Sequence, residues 1–233
     1  MIRALHILGA ILGPLAAAIA PNSTAAQTQC AAALVLAMDV SRSVSSREYD
    51  LQMQGLAAAF RDTAVIETIR AQPGGVMATV MIWGDHRQQK QTAPWTHLTG
   101  GAELESFARE IEATRRWFGF TLTGLGAAMA FADSLFSENP TPCRRRVIDI
   151  SGDGVWNDGP LPAAVWRSLS PNVTVNGLVI LGATPDPYSY YRDEVIGGPG
   201  AFVESASGFD DYARAIRLKL LRELSPALSM LAQ

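Results

Sequence analysis

The chain has 233 residues, 48% of them hydrophobic and 18% charged, enough for one sizeable core and cramped for two. Its 19 Lys and Arg against 22 Asp and Glu give a formal charge of −3, an acidic balance that argues against nucleic acid or an anionic membrane surface as the main partner. Met1, Ile2 and Arg3 supply a short positive start, Leu5 to Ala20 is almost unbroken Leu, Ile, Ala and Gly, and Thr24, Ala25 and Ala26 close the run with small residues. Such a run is shorter than a spanning helix needs. It reads as a cleaved signal peptide over 1–26 and predicts an exported, periplasmic or extracellular domain over 27–233 with no stable membrane insertion; an uncleaved anchor is the alternative. Gln29 stands before Cys30, where a lipid-anchor signal wants a small residue.

Ala32 to Met38 is continuously apolar and ends in Asp39, the pattern of a central strand buried on both faces. Ser45 and Glu48 form a capping box, and Tyr49, Met53, Leu56 and Phe60 follow at helical spacing. Val76 to Trp83 predicts a second strand and Gln91 to His97 a third, which Pro94 demotes to an antiparallel edge. Leu104, Phe107 and Ile111 mark a second helix, and Leu122, Leu125, Met129, Ala132 and Leu135 a third. After the strand Arg146 to Ile150 come a helix near Leu161 to Leu169, a strand Val173 to Leu181, a Pro- and Tyr-containing loop, a short strand Ala201 to Glu204, and a last helix carrying Phe209, Tyr212, Ile216 and Leu220. This alternation predicts an α/β fold: a three-layer, open, doubly wound and mostly parallel sheet with one antiparallel edge strand and helices on both faces.

Three polar clusters fall at the carboxyl ends of elements that this fold gathers: Asp39, Ser41 and Ser43 in one loop, Thr121 with Thr123 in a second, and Asp153 between Gly152 and Gly154. Ligands of open α/β sheets bind outside those strand ends, where strand order reverses. Hydroxyl and carboxylate oxygens suit one hard divalent cation, Mg²⁺ before Mn²⁺ or Ca²⁺, whereas Zn²⁺ and Cu²⁺ sites lean on His and Cys. His86 and His97 are in no ligand-like spacing. Each cluster also has a plain reading: serines cap helices, Thr121 could cap its helix and leave Thr123 as the ligand, and Asp153 could finish a turn. Ser45 already fills the first cap, which frees Ser41 and Ser43.

The runs LVLAMDVSRSVS, GFTLTGLGAAMAFA and VIDISGDG resemble the three parts of the metal-ion-dependent adhesion site of von Willebrand factor A-type domains, over roughly Cys30 to Leu224. The resemblance implies Ser41, Ser43 and Thr121 as direct ligands, with Asp39 and Asp153 direct or through water. Arg42 departs from the small residue that many relatives carry; its side chain must point outward, where it could recruit an anionic partner. Ala93 to Thr96 and Tyr190 to Val203 resemble a narrower family of exported bacterial proteins without an established function.

Neutral hydroxyl ligands leave a bound ion positive and open to an incoming carboxylate. The expected function is therefore non-enzymatic binding of a protein partner that presents an acidic group. Arg42, Asn157, Tyr190, Tyr191 and Arg192 are the candidate rim, although Asn157 with Asp158 could simply complete a turn and the tyrosines could pack inward. Trp83, Trp117 and Trp166 read as core or edge packing. One alternative is a metal-dependent, phosphatase-like hydrolase with Asp39 as nucleophile, but Ser41 stands where such an enzyme has its second acid, and no Lys or His is placed for the protons. The other is a structural envelope protein with a vacant site.

Cys30 and Cys143 precede Asp39 and Asp153 by nearly equal lengths. If the two strands are parallel neighbours, the cysteines reach the opposite rim at heights within about 3.3 Å, in position to form a disulfide. Closing a loop of more than a hundred residues would contribute up to roughly 4 to 5 kcal/mol in the chain-entropy model.

Overall fold

The structure is a computed structural model, and it describes residues 29–225 apart from Phe120. The expected signal peptide at 1–26 lies outside the described residues. Six strands form one sheet in the order β3-β2-β1-β4-β5-β6: β1 Cys30–Asp39, β2 Val76–Trp83, β3 Gln89–Leu98, β4 Cys143–Gly152, β5 Val173–Ile180 and β6 Val203–Ala206. All neighbours are parallel except β2 with β3, the edge strand that carries Pro94 and shifts register beside Val80. Pro can sit there because its missing N–H faces no further strand.

Every residue of β1 is buried, which its apolar run requires of a strand covered on both faces. Leu34, Leu36 and Met38 face α1 (Ser46–Arg61), α3 (Gly101–Glu112) and α7 (Tyr212–Leu224); Val35 and Ala37 face α4 (Leu125–Leu135) on the other side. Strand order reverses between β1 and β4, which are hydrogen-bonded neighbours with Met38 paired to Ser151. That register brings Asp39 and Asp153 to adjacent strand ends. It also pairs Cys30 directly with Cys143 at the opposite rim, where they form a disulfide with Cα atoms 4.4 Å apart.

The capping box of α1 is complete, with Ser45 N–H donating to Glu48 Oε2 at 2.7 Å and Glu48 N–H to Ser45 Oγ at 3.3 Å. Several predicted elements need correction. An additional helix, α2 (Thr63–Arg70), follows α1 because Asp62 ends one helix and caps the next, accepting from Ala64 and Val65 N–H at 3.0 and 3.3 Å. Leu122 is exposed in the loop before α4 rather than in its apolar stripe. The helix expected over Leu161 to Leu169 is one turn, α5 (Pro162–Val165). The expected 183–200 loop contains a turn of helix, α6 (Pro187–Tyr190), running into a π-type turn at Tyr191–Val195.

Candidate metal centre

Asp39 ends β1, and its Oδ1 accepts the Ser41 N–H at 2.7 Å, folding the chain back over the strand end. The turn carries two hydroxyls side by side, Ser41 Oγ and Ser43 Oγ 3.1 Å apart. Ser43 Oγ donates to Asp153 Oδ1 at 2.7 Å, so the first loop bonds across the β1 and β4 boundary to the third. The Thr121 loop is tied on by its backbone, with Arg42 N–H donating to the Thr121 carbonyl at 2.9 Å and Gly124 N–H to the Gly84 carbonyl at 2.8 Å. A β-carbon at Gly84 would collide with the Thr121 hydroxyl, so glycine at the end of β2 is what lets this loop close. Thr121 stands clear of the helix cap position, which belongs to Gly124. Arg116 holds the turn from the outside, its Nη2 donating to the Val40 and Ser41 carbonyls at 3.1 Å each.

The five residues thus meet at one end of the sheet, and their polar atoms are not all satisfied by the protein. Asp39 Oδ2 and Thr121 Oγ1 are buried without a hydrogen-bond partner among the described residues. Burial, then the charge of Asp153, pushes the Asp39 carboxyl up to about 8. Burial also raises Asp153; the Ser43 hydrogen bond opposes this, and Glu48 adds to it. Among the described residues no Lys, Arg or His side chain forms an ion pair with either acid. A hard divalent cation matches this donor set, since it takes carboxylate and hydroxyl oxygens together.

A family model described as a protein of unknown function, DUF1194, matches residues 29–228. The chain belongs to the DUF1194 family. Its fold is that of von Willebrand factor A-type domains. Similar solved structures include the mussel byssus proximal thread matrix protein 1 with a zinc-occupied metal-ion-dependent adhesion motif, 17% identical with TM-score 0.58 over 86% of this chain and 49% of that one. A von Willebrand factor type A protein from Catenulispora acidiphila is 15% identical, TM-score 0.59, covering 83% and 43%. The pilus adhesin SpaC of Lactobacillus rhamnosus GG in its open conformation is 10% identical, TM-score 0.57, covering 84% and 31%. At these identities the likeness is one of fold, and this chain spans half or less of those chains. No curated protein matches the sequence.

Of the expected rim of this DUF1194 chain, Arg42 is exposed and lines a cavity of about 400 Å³ with Val44, Arg116 and Phe118. Arg192 is exposed and paired to its neighbour Asp193 at 2.7 Å, while Tyr190 is half-buried. Asn157 is exposed but acts as a clamp, its Oδ1 accepting Thr123 N–H at 2.8 Å and its own N–H donating to the Thr123 carbonyl. Both bonds engage the backbone of Thr123. Tyr191 does not belong to the rim: it is fully buried against β4 and β5. Burial and the charges of Asp39 and Asp153 hold its phenol well above the ordinary tyrosine range. Trp117, expected to pack, is 57% exposed with Lys90 Nζ 3.7 Å from its ring centre.

The sequence reading missed two features. His86 has a partner after all: its Nδ1 is 2.6 Å from Asp158 Oδ2, and Asp85, His86 and Asp158 offer ligand atoms within 4.8 Å of one another. The residues are 72 positions apart, and only the packing of the two loops joins them. Lys219, on the helix expected to be simply amphipathic, is fully buried, with Asp149 Oδ1 at 2.7 Å and Glu223 Oε1 at 2.6 Å from its Nζ. Among the described residues no helix is long and apolar enough to cross a membrane.

Proposed function

We propose that this protein is an exported, non-enzymatic binding domain that holds one divalent cation with Asp39, Ser41, Ser43, Thr121 and Asp153 and uses it to engage an acidic group of a protein partner. One observation carries the reading: among the described residues two buried oxygens, Asp39 Oδ2 and Thr121 Oγ1, lack hydrogen-bond partners beside a pair of acids that forms no ion pair with a basic side chain. Unpartnered buried polar groups cost roughly 1 to 3 kcal/mol each, more when charged, and a cation drawn from solution removes that cost. Mg²⁺ is the leading choice, Mn²⁺ and Ca²⁺ take the same donors, and the zinc in the mussel protein's motif adds Zn²⁺ to the series to be tested.

One side of the site favours an acidic partner. Arg42, exposed, and Arg116, half-buried, flank it there, whereas the cavity of about 470 Å³ on the other side, from Asp153 past Ser45 and Arg47 to Gly182 and Phe209, also carries the acids Glu48 and Asp210. Exposed basic side chains near an ion with open coordination steer and orient an incoming carboxylate. Export is supported by the apolar leader and by the disulfide, which belongs to an oxidising compartment.

The test has two arms. Calorimetric titration with Mg²⁺, Mn²⁺, Ca²⁺ and Zn²⁺ is expected to show a single site in the wild type and none in Asp39→Asn. A pull-down from envelope extract is expected to enrich a partner only with metal present and only with wild type, not with Asp153→Ala. Enrichment indifferent to both chelation and substitution defeats the reading.

A further inference from the structure

The connection between β5 and β6 sends one side chain inward to the metal loops. Tyr191 opens the π-type turn, and its ring lies over two glycines on neighbouring strands. A β-carbon at Gly177 would sit 2.9 Å from its Cδ1, and one at Gly152 would collide with its hydroxyl. The ring therefore crosses from β5 toward β1 with the hydroxyl leading. The same Gly152 β-carbon position lies 3.0 Å from Asp39 Oδ2 and 3.4 Å from Cζ2 of the Trp83 indole, so phenol and carboxylate converge on one small space above Gly152. Both Tyr191 OH and Asp39 Oδ2 are buried and unpartnered. A phenol can donate and a carboxylate can accept, and pairing the two, directly or through one water, satisfies both.

We propose that Tyr191 is a positioning residue for the metal site: its hydroxyl fixes the Asp39 carboxylate and thereby couples metal occupancy to the order of the partly exposed segment 186–196, which carries Tyr190 and Arg192. This rests on the metal-site reading above. Groups that orient a ligand from behind are worth on the order of 10- to 100-fold in metal affinity. Gly152 and Gly177 gain a reason by the same account, because a side chain at either would displace the ring.

Tyr191→Phe keeps the ring in its slot and removes only the hydroxyl. Mn²⁺ alone is titrated into wild type, Tyr191→Phe and, as a control that also loses a tyrosine hydroxyl, Tyr49→Phe, with thermal melts of each metal-free protein and amide exchange over 186–196. The expected result is an affinity about tenfold weaker in Tyr191→Phe and unchanged in Tyr49→Phe, without a matching fall in the metal-free melting temperature. Mn²⁺ should slow exchange across 186–196 in the wild type and do so less in Tyr191→Phe. If Tyr191→Phe unfolds, Gly177→Ala, which displaces the ring while keeping its hydroxyl and meets no atom of Asp39, must show the same affinity loss or the proposal falls. Equal Mn²⁺ affinity in wild type and Tyr191→Phe overturns this inference and leaves the metal site standing. A wild type that takes no Mn²⁺ overturns both.

Discussion

Two buried pairs of acids lie close together along β4, and the chain treats them differently. Asp149 and Glu223 share the ammonium of Lys219, and Asn176 Nδ2 adds a hydrogen bond to Glu223 at 2.7 Å. Asp39 and Asp153, at the strand ends, have hydroxyls and an amide but, among the described residues, no ion pair with a basic side chain. The inner pair carries its counter-ion on the same polypeptide, so it serves as a permanent strut between α7 and the sheet. On the proposed reading, the rim pair is balanced by a cation from solution, which can exchange and be shared with a partner.

The inner pair gives the sharpest break in this contrast. Lys219→Met should leave two buried acids without a cation and destabilise the fold by about 3 to 5 kcal/mol, measured by denaturant unfolding, whereas loss of an acid at the rim should not. An equal loss from Asp153→Asn would mean that the rim acids are structural too. Replacing both Cys30 and Cys143 by Ser should lower stability by roughly 2 to 5 kcal/mol and, because the clip sets the register of β1 against β4, weaken metal binding as well. Unchanged metal affinity in that variant would show that hydrogen bonding between the strands is enough to hold the rim in place.

At the rim, metal at a hundredfold excess over its dissociation constant should stabilise the wild type by about 2.7 kcal/mol and Asp153→Asn by nothing, read as a chelator-reversible shift in thermal melting. Without metal, Asp153→Asn should melt at or above wild type, since it removes a like charge beside Asp39. The smallest effect, taken per pH unit, is that of pH. Burial raises the Asp149 carboxyl from 3.8 to about 7, the Lys219 charge opposing this, so across that interval the folded chain holds a proton that the unfolded chain has released. The stability that Asp149 contributes is therefore lost as pH rises from about 3.8 to about 7, at a slope of at most about 1.4 kcal/mol per pH unit. Asp149→Asn should flatten that decline in melting curves taken across the interval; an identical slope would place the proton elsewhere.

Much of this contrast was legible in the residues. The apolar run before Asp39, the capping box at Ser45, Pro94 on an edge and the matched offsets of Cys30 and Cys143 are local or periodic signals, and the architecture follows them. The same signals put Asp39, Ser41, Ser43 and Asp153 at strand ends and Thr121 in the loop before a helix. Other features escaped because no local rule encodes them. Asp62 closes one helix and opens another within a single apolar rhythm, so α2 was invisible. The proline-bounded stretch from Leu161 was read as a full helix and holds only one turn. Tyr191 resembled an interface tyrosine because nothing in its own neighbourhood announces the two glycines beneath it, Gly152 and Gly177, on different strands.

The sequence by itself determined which residues lie on buried faces, because spacing of 2.0 or 3.6 residues is imposed by the backbone wherever the chain goes. It also supplies the ground for proposing a hard cation, since the donors it offers are oxygens without clustered imidazoles or thiolates. Tertiary structure alone decided which distant groups share a charge: His86 with Asp158, Lys219 with Asp149, Tyr191 against the metal loops. Those partnerships depend on strand order and register summed over the whole sheet, and electrostatic energy in a buried site is set by separations of a few ångströms that no short stretch of chain specifies.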